Sequence, residues 1–341
     1  MNSIMQDVWG YISNFINDNK HTCNLLMTCK EISHFNIYFR EAISIKKIVG
    51  HQWYDKFINI IVDAHIILMP LHIKRLVLNG NFCRSENFRI PSTVTHLVLY
   101  RNFILPIYQN IPTSVTHLEF GSNFNKDLCG CIPSSVIHLR FGDNFNQPIR
   151  DYTSEMNSHF SIMHSIIPPS VINLEFRRDF NQPIHGCIPS SVKYLQFGEK
   201  FNQPIHGCIP SSVTYLKFST DFKQPIDIPS SVTKLCLFED YDKLDFDKLP
   251  TSITHLTLTG NHTITNIPSS IVELVVRSFN SVYCSRTIDK EYSYKPCKQS
   301  NITHLILRGI IRDSLVPLPT SVEYHHKLVR RGKSYVTGMF L

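Results

Sequence analysis

A triplet of apolar positions recurs along this chain with the spacing V-x-x-L-x-F or V-x-x-L-x-L. It is filled by Val115, Leu118 and Phe120, by Val136, Leu139 and Phe141, and by Val192, Leu195 and Phe197. The last part of the triplet alternates apolar with polar, the period of a strand with one buried face. Ahead of each triplet stands I-P-S-S or a close variant, with prolines at Pro91, Pro112, Pro133, Pro168, Pro189, Pro210, Pro229, Pro250, Pro268 and Pro319. Neighbours in that series are mostly 21 residues apart, as from Pro91 to Pro112 and from Pro189 to Pro210. A fixed period of this length predicts a solenoid with one strand per turn.

Three residues past the third apolar position comes Asn81, Asn102, Asn123, Asn144 or Asn261, replaced elsewhere by Asp179, Asp221, Asp240 or Lys200. A short amide there can bond backbone groups as the chain turns off the strand. Next comes Phe103, Phe124, Phe145, Phe180, Phe201 or Phe222, whose fixed place predicts a phenylalanine stack inside the coil. The rest of the repeat carries two prolines, as in Pro204 and Pro210. Proline lacks an N–H and pushes the residue before it toward extended backbone, so the return segment is expected to be extended or turn-like. Ile188 and Ile209 are expected to point inward, and Cys131, Cys187 and Cys208, each just before such an isoleucine, to form a buried ladder.

The phrase FNQPI at 145–149, 180–184 and 201–205, with IPSSVTHL-like lines between, resembles the FNIP repeat, a leucine-rich-repeat variant known mainly from amoebae and giant viruses. The resemblance runs over residues 69–328 and fades at the ends, where Gln299 replaces the proline and His325 stands at a core position. Atypical end turns are what a capped solenoid needs. It implies a parallel sheet on a concave face and an extended or turn-like convex side.

The N-terminus has another period. Val8, Ile12, Phe15 and Ile16 share one helical face at spacings of three and four, and CNLLMTCKEISHF follows after the polar break NDNKHT. This resembles an F-box: Leu25, Leu26, Cys29 and Lys30 match its second part, and Val8, Ile12 and Phe15 its first, while Ile4 and Met5 stand where the Leu-Pro opening belongs. The resemblance implies a small all-α domain at 1–48; the solenoid is expected at 69–328, preceded by a linker and cap at 49–68 in which 53–63 is a strand-like seal on the first repeat, and followed by a tail at 329–341. The resemblance also implies a substrate-recognition adaptor of a cullin-type ubiquitin ligase. Val8, Ile12, Phe15, Leu25 and Leu26 would contact a Skp-type linker joined to a cullin scaffold, and the repeats would hold a target protein. The alternative is a non-catalytic interaction scaffold whose F-box remnant engages no ligase.

Composition narrows the setting. The ten cysteines form no disulfide framework, and three share one repeat position, which fits reduced thiols in the cytosol or nucleus. The opening MNSIMQDVWGY has neither a basic start nor an apolar run, so no secretory leader is expected. The most apolar stretch, FINIIVDAHIILMPLHI, is interrupted by Asp63, His65 and Pro70, against a membrane span. The net charge of +7 invites a nucleic-acid reading, but only Lys327, Arg330, Arg331 and Lys333 cluster, with no aromatic platform beside them.

Candidate chemistry follows from stacking equivalent residues about 4.8 Å apart on neighbouring strands. One outward ladder reads His96, His117, His138, Asn173, Tyr194, Tyr215, Lys234, His255 and His304, and the next Val98, Glu119, Arg140, Glu175, Gln196, Lys217, Cys236. Three imidazoles suit zinc, yet Thr-His also suits an exposed strand, and no thiol or carboxylate lies at the same position on the next turn to complete a site. Glu119, Arg140 and Glu175 alternate in sign and are expected to pair among themselves. Tyr194, Gln196, Tyr215 and Lys217 are therefore the expected target-binding residues, tyrosine being favoured where binding energy concentrates. No G-x-S-x-G, P-loop or H-E-x-x-H appears, and neither enzyme nor cofactor is expected. The insertion at 150–164 is expected on the convex return, and that at 281–298, with Cys284 and Cys297, along one edge of the concave face.

Overall fold

Most of the repeat strands begin where a proline-led turn closes. In the computed structural model the Pro91 carbonyl accepts the N–H of Val94 at 3.1 Å, and the bond recurs from Val115 to Pro112, Val192 to Pro189 and Val213 to Pro210. The structure describes His21, residues 38–39, 41–50, 52, 54–62, 69–79, 89–100, 111–128, 130–151, 164–238, 249–259 and 268–277, and strand backbone at 304–308, 323–324, 329–330 and 333–334. The second serine of the turn ties it to the turn before. Ser114 Oγ donates to the Val94 carbonyl at 2.7 Å, Ser135 to Val115 at 2.7 Å, and Ser191, Ser212, Ser231 and Ser252 do likewise. These half-buried hydroxyls satisfy carbonyls just before six of the strands.

The chain divides into two compact units, residues 1–145 and 146–341. In the first, β1 Ile43–Ser44, β2 Asn59–Val62, β3 Arg75–Asn79, β4 His96–Tyr100, β5 His117–Phe120 and β6 His138–Arg140 lie side by side in chain order, all parallel. Leu76, Leu97, Leu118 and Leu139 are in register. The second unit opens with a short antiparallel pair, β7 Arg150–Asp151 and β8 His164–Ser165, through which the 150–164 insertion departs and returns. Then come β9 Asn173–Glu175, β10 Tyr194–Gln196, β11 Tyr215–Lys217, β12 Lys234–Phe238, β13 His255–Thr259, β14 Glu273–Arg277, β15 His304–Arg308 and β16 Glu323–Tyr324, again parallel and in order. The tail carries a hairpin of β17 Val329–Arg330 and β18 Lys333–Ser334.

The N-terminal expectations fare unevenly. Among the described residues helix is confined to His21 and the single 3-10 turns Ile45–Lys47 and Tyr54–Lys56. The amphipathic stretch at 8–16 and the F-box line at 23–35 lie outside the described residues. Ile43–Ser44, within the span read as helical, is instead a strand. The segment at 53–63 does not seal the sheet, because β2 has β3 on one side and β1 on the other. Ile60 and Val62 alternate inward as in a repeat strand, and Phe39 stacks on Phe57 at 4.2 Å beneath them.

The core is built from the triplets and a second aromatic file. Phe120 ends its strand and Phe141, Phe176, Phe197 and Phe218 directly follow theirs, Phe124, Phe145, Phe180, Phe201 and Phe222 come next in the turn, and all are buried. Within a turn the two rings stack closely, 3.9 Å for Phe197 with Phe201, and between turns each ring meets its equivalent, 6.1 Å for Phe180 with Phe201. The approach of successive turns explains the glycines after some of these strands: a Cβ at Gly142 or Gly198 would overlap the carbonyl of Gly121 or Arg177 on the turn before. Ile188, Ile209, Cys131, Cys187 and Cys208 are buried as expected.

A second amide, two residues past the expected asparagine, also serves the turn. Asn144 reaches its equivalent Asn123, its Nδ2 donating to Oδ1 at 3.4 Å. The amide after the phenylalanine bonds backbone on the next turn. Asn146 Oδ1 accepts the N–H of Asn181 at 2.9 Å and Gln182 Nε2 at 3.0 Å, and Asn181 does the same for Asn202 and Gln203. Asn202 in turn accepts the N–H of Lys223 at 2.9 Å. Every residue of F-N-Q-P-I thus has its own physical role. In order they supply a core ring, an acceptor, a donor, an exposed helix-breaker and a buried aliphatic.

Candidate functional site

Because neighbouring strands are parallel and in register, side chains facing away from the phenylalanines fall into columns. In the first unit the leading column holds Arg75, His96, His117 and His138. The imidazoles stack face to face, with centroids 4.0 Å apart for His96 and His117 and 4.1 Å for His117 and His138. Thr95 and Thr116 direct their hydroxyl protons to carbonyls of the preceding turn, at 3.2 and 3.3 Å, while their oxygens lie 2.9 Å from Nδ1 of His96 and His117. That geometry assigns the ring proton to Nδ1 and leaves Nε2 a bare acceptor. Burial first, and then the two flanking imidazoles, lower the His117 pKa to about 4; His96 is lowered by burial and by Arg75.

The lone pairs lie in nearly parallel ring planes and do not converge, whereas zinc needs nitrogens at about 2.0–2.1 Å from a common point. Among the described residues no group of three or more His, Cys, Asp or Glu is arranged to hold a metal ion. In the next column Arg140 Nη1 donates to Glu119 Oε1 at 3.4 Å, the self-pairing expected of these two.

The second unit holds the expected target-binding residues. Tyr194 and Tyr215 stack at 4.2 Å with their planes 10° apart. They are half-buried rather than freely exposed, since each covers a face of the other. Tyr194 Oη donates to Gln196 Oε1 at 3.0 Å, and Gln196 Nε2 donates to Glu175 Oε1 at 3.4 Å. Tyr215 Oη lies 3.4 Å from Cys236 Sγ, and burial, followed by that contact, raises its pKa. Lys217 places its Nζ 5.1 Å from the centroid of Phe238. The four residues are therefore contiguous, on β10 and β11.

The structure adds neighbours that the repeat pattern did not single out. A cavity of about 260 Å³ opens beside Tyr215 and Lys217 and is lined also by Lys234, Cys236, Phe238, His255 and Glu273. His255 Nε2 lies 3.9 Å from Glu273 Oε2 across its far side. Phe238 was the readable signal: it is outward at a strand end where Gly198 and Ser219 occupy the two preceding turns. A large ring beside small residues makes a wall and a hollow. The linker-contact candidates Val8, Ile12, Phe15, Leu25 and Leu26 lie outside the described residues, as does the 281–298 insertion.

FNIP repeats are found at residues 86–123, 124–152, 161–200 and 201–240. Beyond residue 240 the strand ladder continues in register through β13 to β16. Among solved structures the chain is similar to CroV588, described as a novel circular LRR protein, with 25% identity and a TM-score of 0.58 over 79% of this chain. It spans 43% of that protein's length. YopM from Yersinia enterocolitica WA-314 aligns over 80% of this chain and 60% of its own, at 16% identity and a TM-score of 0.38. No curated protein matches the sequence. The architecture is an LRR-like parallel β-solenoid with almost no helix among the described residues, and no catalytic family is indicated. No helix among those residues is long and apolar enough to cross a membrane.

Proposed function

We propose that this chain is a repeat-based protein-interaction scaffold of the leucine-rich-repeat and FNIP type, and that it serves as the substrate-recognition adaptor of a cullin-type ubiquitin ligase in the cytosol or nucleus. The observation that carries the interaction reading is the stacked pair Tyr194 and Tyr215 beside a cavity, on a sheet face whose folding is done by the opposite side chains. Solenoids use such extended faces to hold partners. Tyrosine supplies a rigid face with a polar tip at little entropic cost. The adaptor half is supported by the F-box resemblance of Leu25, Leu26, Cys29 and Lys30, which would recruit a Skp-type linker and through it a cullin. The mechanism is then proximity, with no chemistry done by the chain itself.

A scaffold that engages no ligase is the second reading, favoured by Ile4 and Met5 in place of the Leu-Pro opening. One substitution separates the two. Leu25→Asp puts a charge into an apolar contact. It is expected to abolish capture of a Skp-type linker by the full chain while leaving the repeat region folded. Unchanged capture, or none by the parent protein, removes the ligase assignment and leaves the scaffold.

A further inference from the structure

The charges lining the cavity of the second unit do not cancel. In the two outward columns from β9 to β14 the formally charged side chains are Glu175, Lys217, Lys234 and Glu273. Glu175 lies 3.9 Å from Arg177 and accepts from Gln196, and Glu273 faces His255. Lys217 and Lys234 have no carboxylate within ion-pair distance among the described residues. Both line the same cavity, one on β11 and the other on β12. Lys217 is held over the Phe238 ring, a contact that keeps an ammonium in place without neutralising it. In the first unit, by contrast, the outward charges Glu119 and Arg140 pair with each other.

We propose that this cavity receives an acidic side chain, aspartate or glutamate, from a partner polypeptide, with Lys217 and Lys234 as its counter-charges and the Tyr215 and Phe238 rings as its walls. The proposal rests on reading this face as the partner-binding one. Two ammonium groups beside two aromatic rings attract a carboxylate more strongly than the same groups in bulk water, because the rings displace solvent. The cavity, about 260 Å³, has room for a single side chain rather than a packed helix. Specificity follows from the same residues: an amide of equal shape would gain the walls and lose the charge.

The test is selection from a library of random ten-residue peptides on the immobilised full chain, run in parallel on the Lys217→Met and Lys234→Met double variant. Methionine keeps the apolar stem and removes the charge. Peptides selected on the parent protein are expected to be enriched in Asp and Glu, and that enrichment is expected to vanish on the variant. A selected peptide synthesised alone should bind the variant at least about tenfold more weakly, and its affinity for the parent should fall with added salt. Equal acidic enrichment on both proteins, or none on the parent, overturns the proposal, as does displacement of the peptide by a single-stranded oligonucleotide. Tyr194→Ala, outside the cavity, separates this idea from the reading beneath it. If Tyr194→Ala loses the selected peptides while the lysine variant keeps them, the face stands and the acidic cavity falls. If both bind unchanged, the face is elsewhere. Unaltered melting temperatures of the variants exclude misfolding as the cause.

Discussion

The side-chain oxygen of Asn181 accepts the backbone N–H of Asn202, one turn further on, at 3.0 Å, and the same oxygen takes Gln203 Nε2 at 2.9 Å. One amide thus serves two donors of the next turn while its own N–H is served by Asn146 of the turn before. Asn181→Ala strands both donors in a half-buried setting and is expected to destabilise by about 1–3 kcal/mol. Asn181→Asp keeps both acceptors and should lose clearly less. Denaturant titration of the two variants decides it, and equal losses would show that the oxygen is not the active element.

Phe201 has ring neighbours on three sides: Phe197 at 3.9 Å, Phe222 at 6.0 Å and Phe180 at 6.1 Å. Phe201→Ala is expected to cost about 3–5 kcal/mol, the range for a truncated core aromatic. In an array bonded only to nearest turns the damage is local, so melting should become multi-step rather than uniformly lower. A single transition at the parent temperature would contradict the stacked core.

Gly198 tests the contact between turns directly. A Cβ there meets the backbone carbonyl of Arg177, which cannot swing aside as a side chain can. Gly198→Ala, a one-methyl change, should therefore lower the melting temperature more than Gly207→Ala, where a Cβ meets nothing within 4 Å. Gly207 has φ +63°, so its variant still carries the cost of left-handed backbone. The reverse order would mean that the turns stand further apart.

The histidine column predicts a pH dependence of stability. His117 titrates near 4 when folded against an ordinary 6.5, so between those values the unfolded chain binds the extra proton. Stability is therefore expected to fall as pH drops from about 6.5 to about 4, and no further on this account below that. The charged or titratable groups beside the stack are Arg75, Glu119, Arg140, His96 and His138. Melting curves across that window should be flatter for His117→Asn than for the parent; parallel curves would remove His117 as the source.

Cysteine reactivity separates the two sides of the sheet. Burial, and then the neighbouring Cys187, raise the Cys208 thiol above its ordinary pKa, whereas Cys236 is half-buried on the outward face. Brief alkylation of the native protein followed by peptide mapping should label Cys236 before Cys131, Cys187 and Cys208. Preferential labelling of the buried three would place them outside the core.

Much of the fold was legible in the residue order because repetition makes a local rule global. Val192, Leu195 and Phe197 alternate at the strand period, and twenty-one residues later the same pattern returns. Parallel, in-register stacking follows from that alone, as do the buried triplets, the inner phenylalanines and the aligned columns His96, His117, His138 and Tyr194, Tyr215. The short-range pattern could not say which asparagine of each turn holds the next one. Asn144 and Asn146 are equally polar and near the same bend, and the choice depends on where the oxygen lies once the turns are stacked. Asp179 and Lys200 looked like two unrelated departures from asparagine. Only stacking brings Lys200 Nζ within 2.8 Å of Asp179 Oδ1, so that an ion pair replaces the amide contact.

The cavity lies further still from what sequence order can express. Tyr215, Lys217, Lys234, Phe238, His255 and Glu273 come from four successive strands, and their common void exists because Phe238 rises beside smaller neighbours. Periodicity determines which side chains share a face, since that depends only on the alternation of the backbone. Whether two lysines on that face are neutralised or left open depends on reach, tilt and the rings between them. Those are distances across strands, set by the tertiary structure alone.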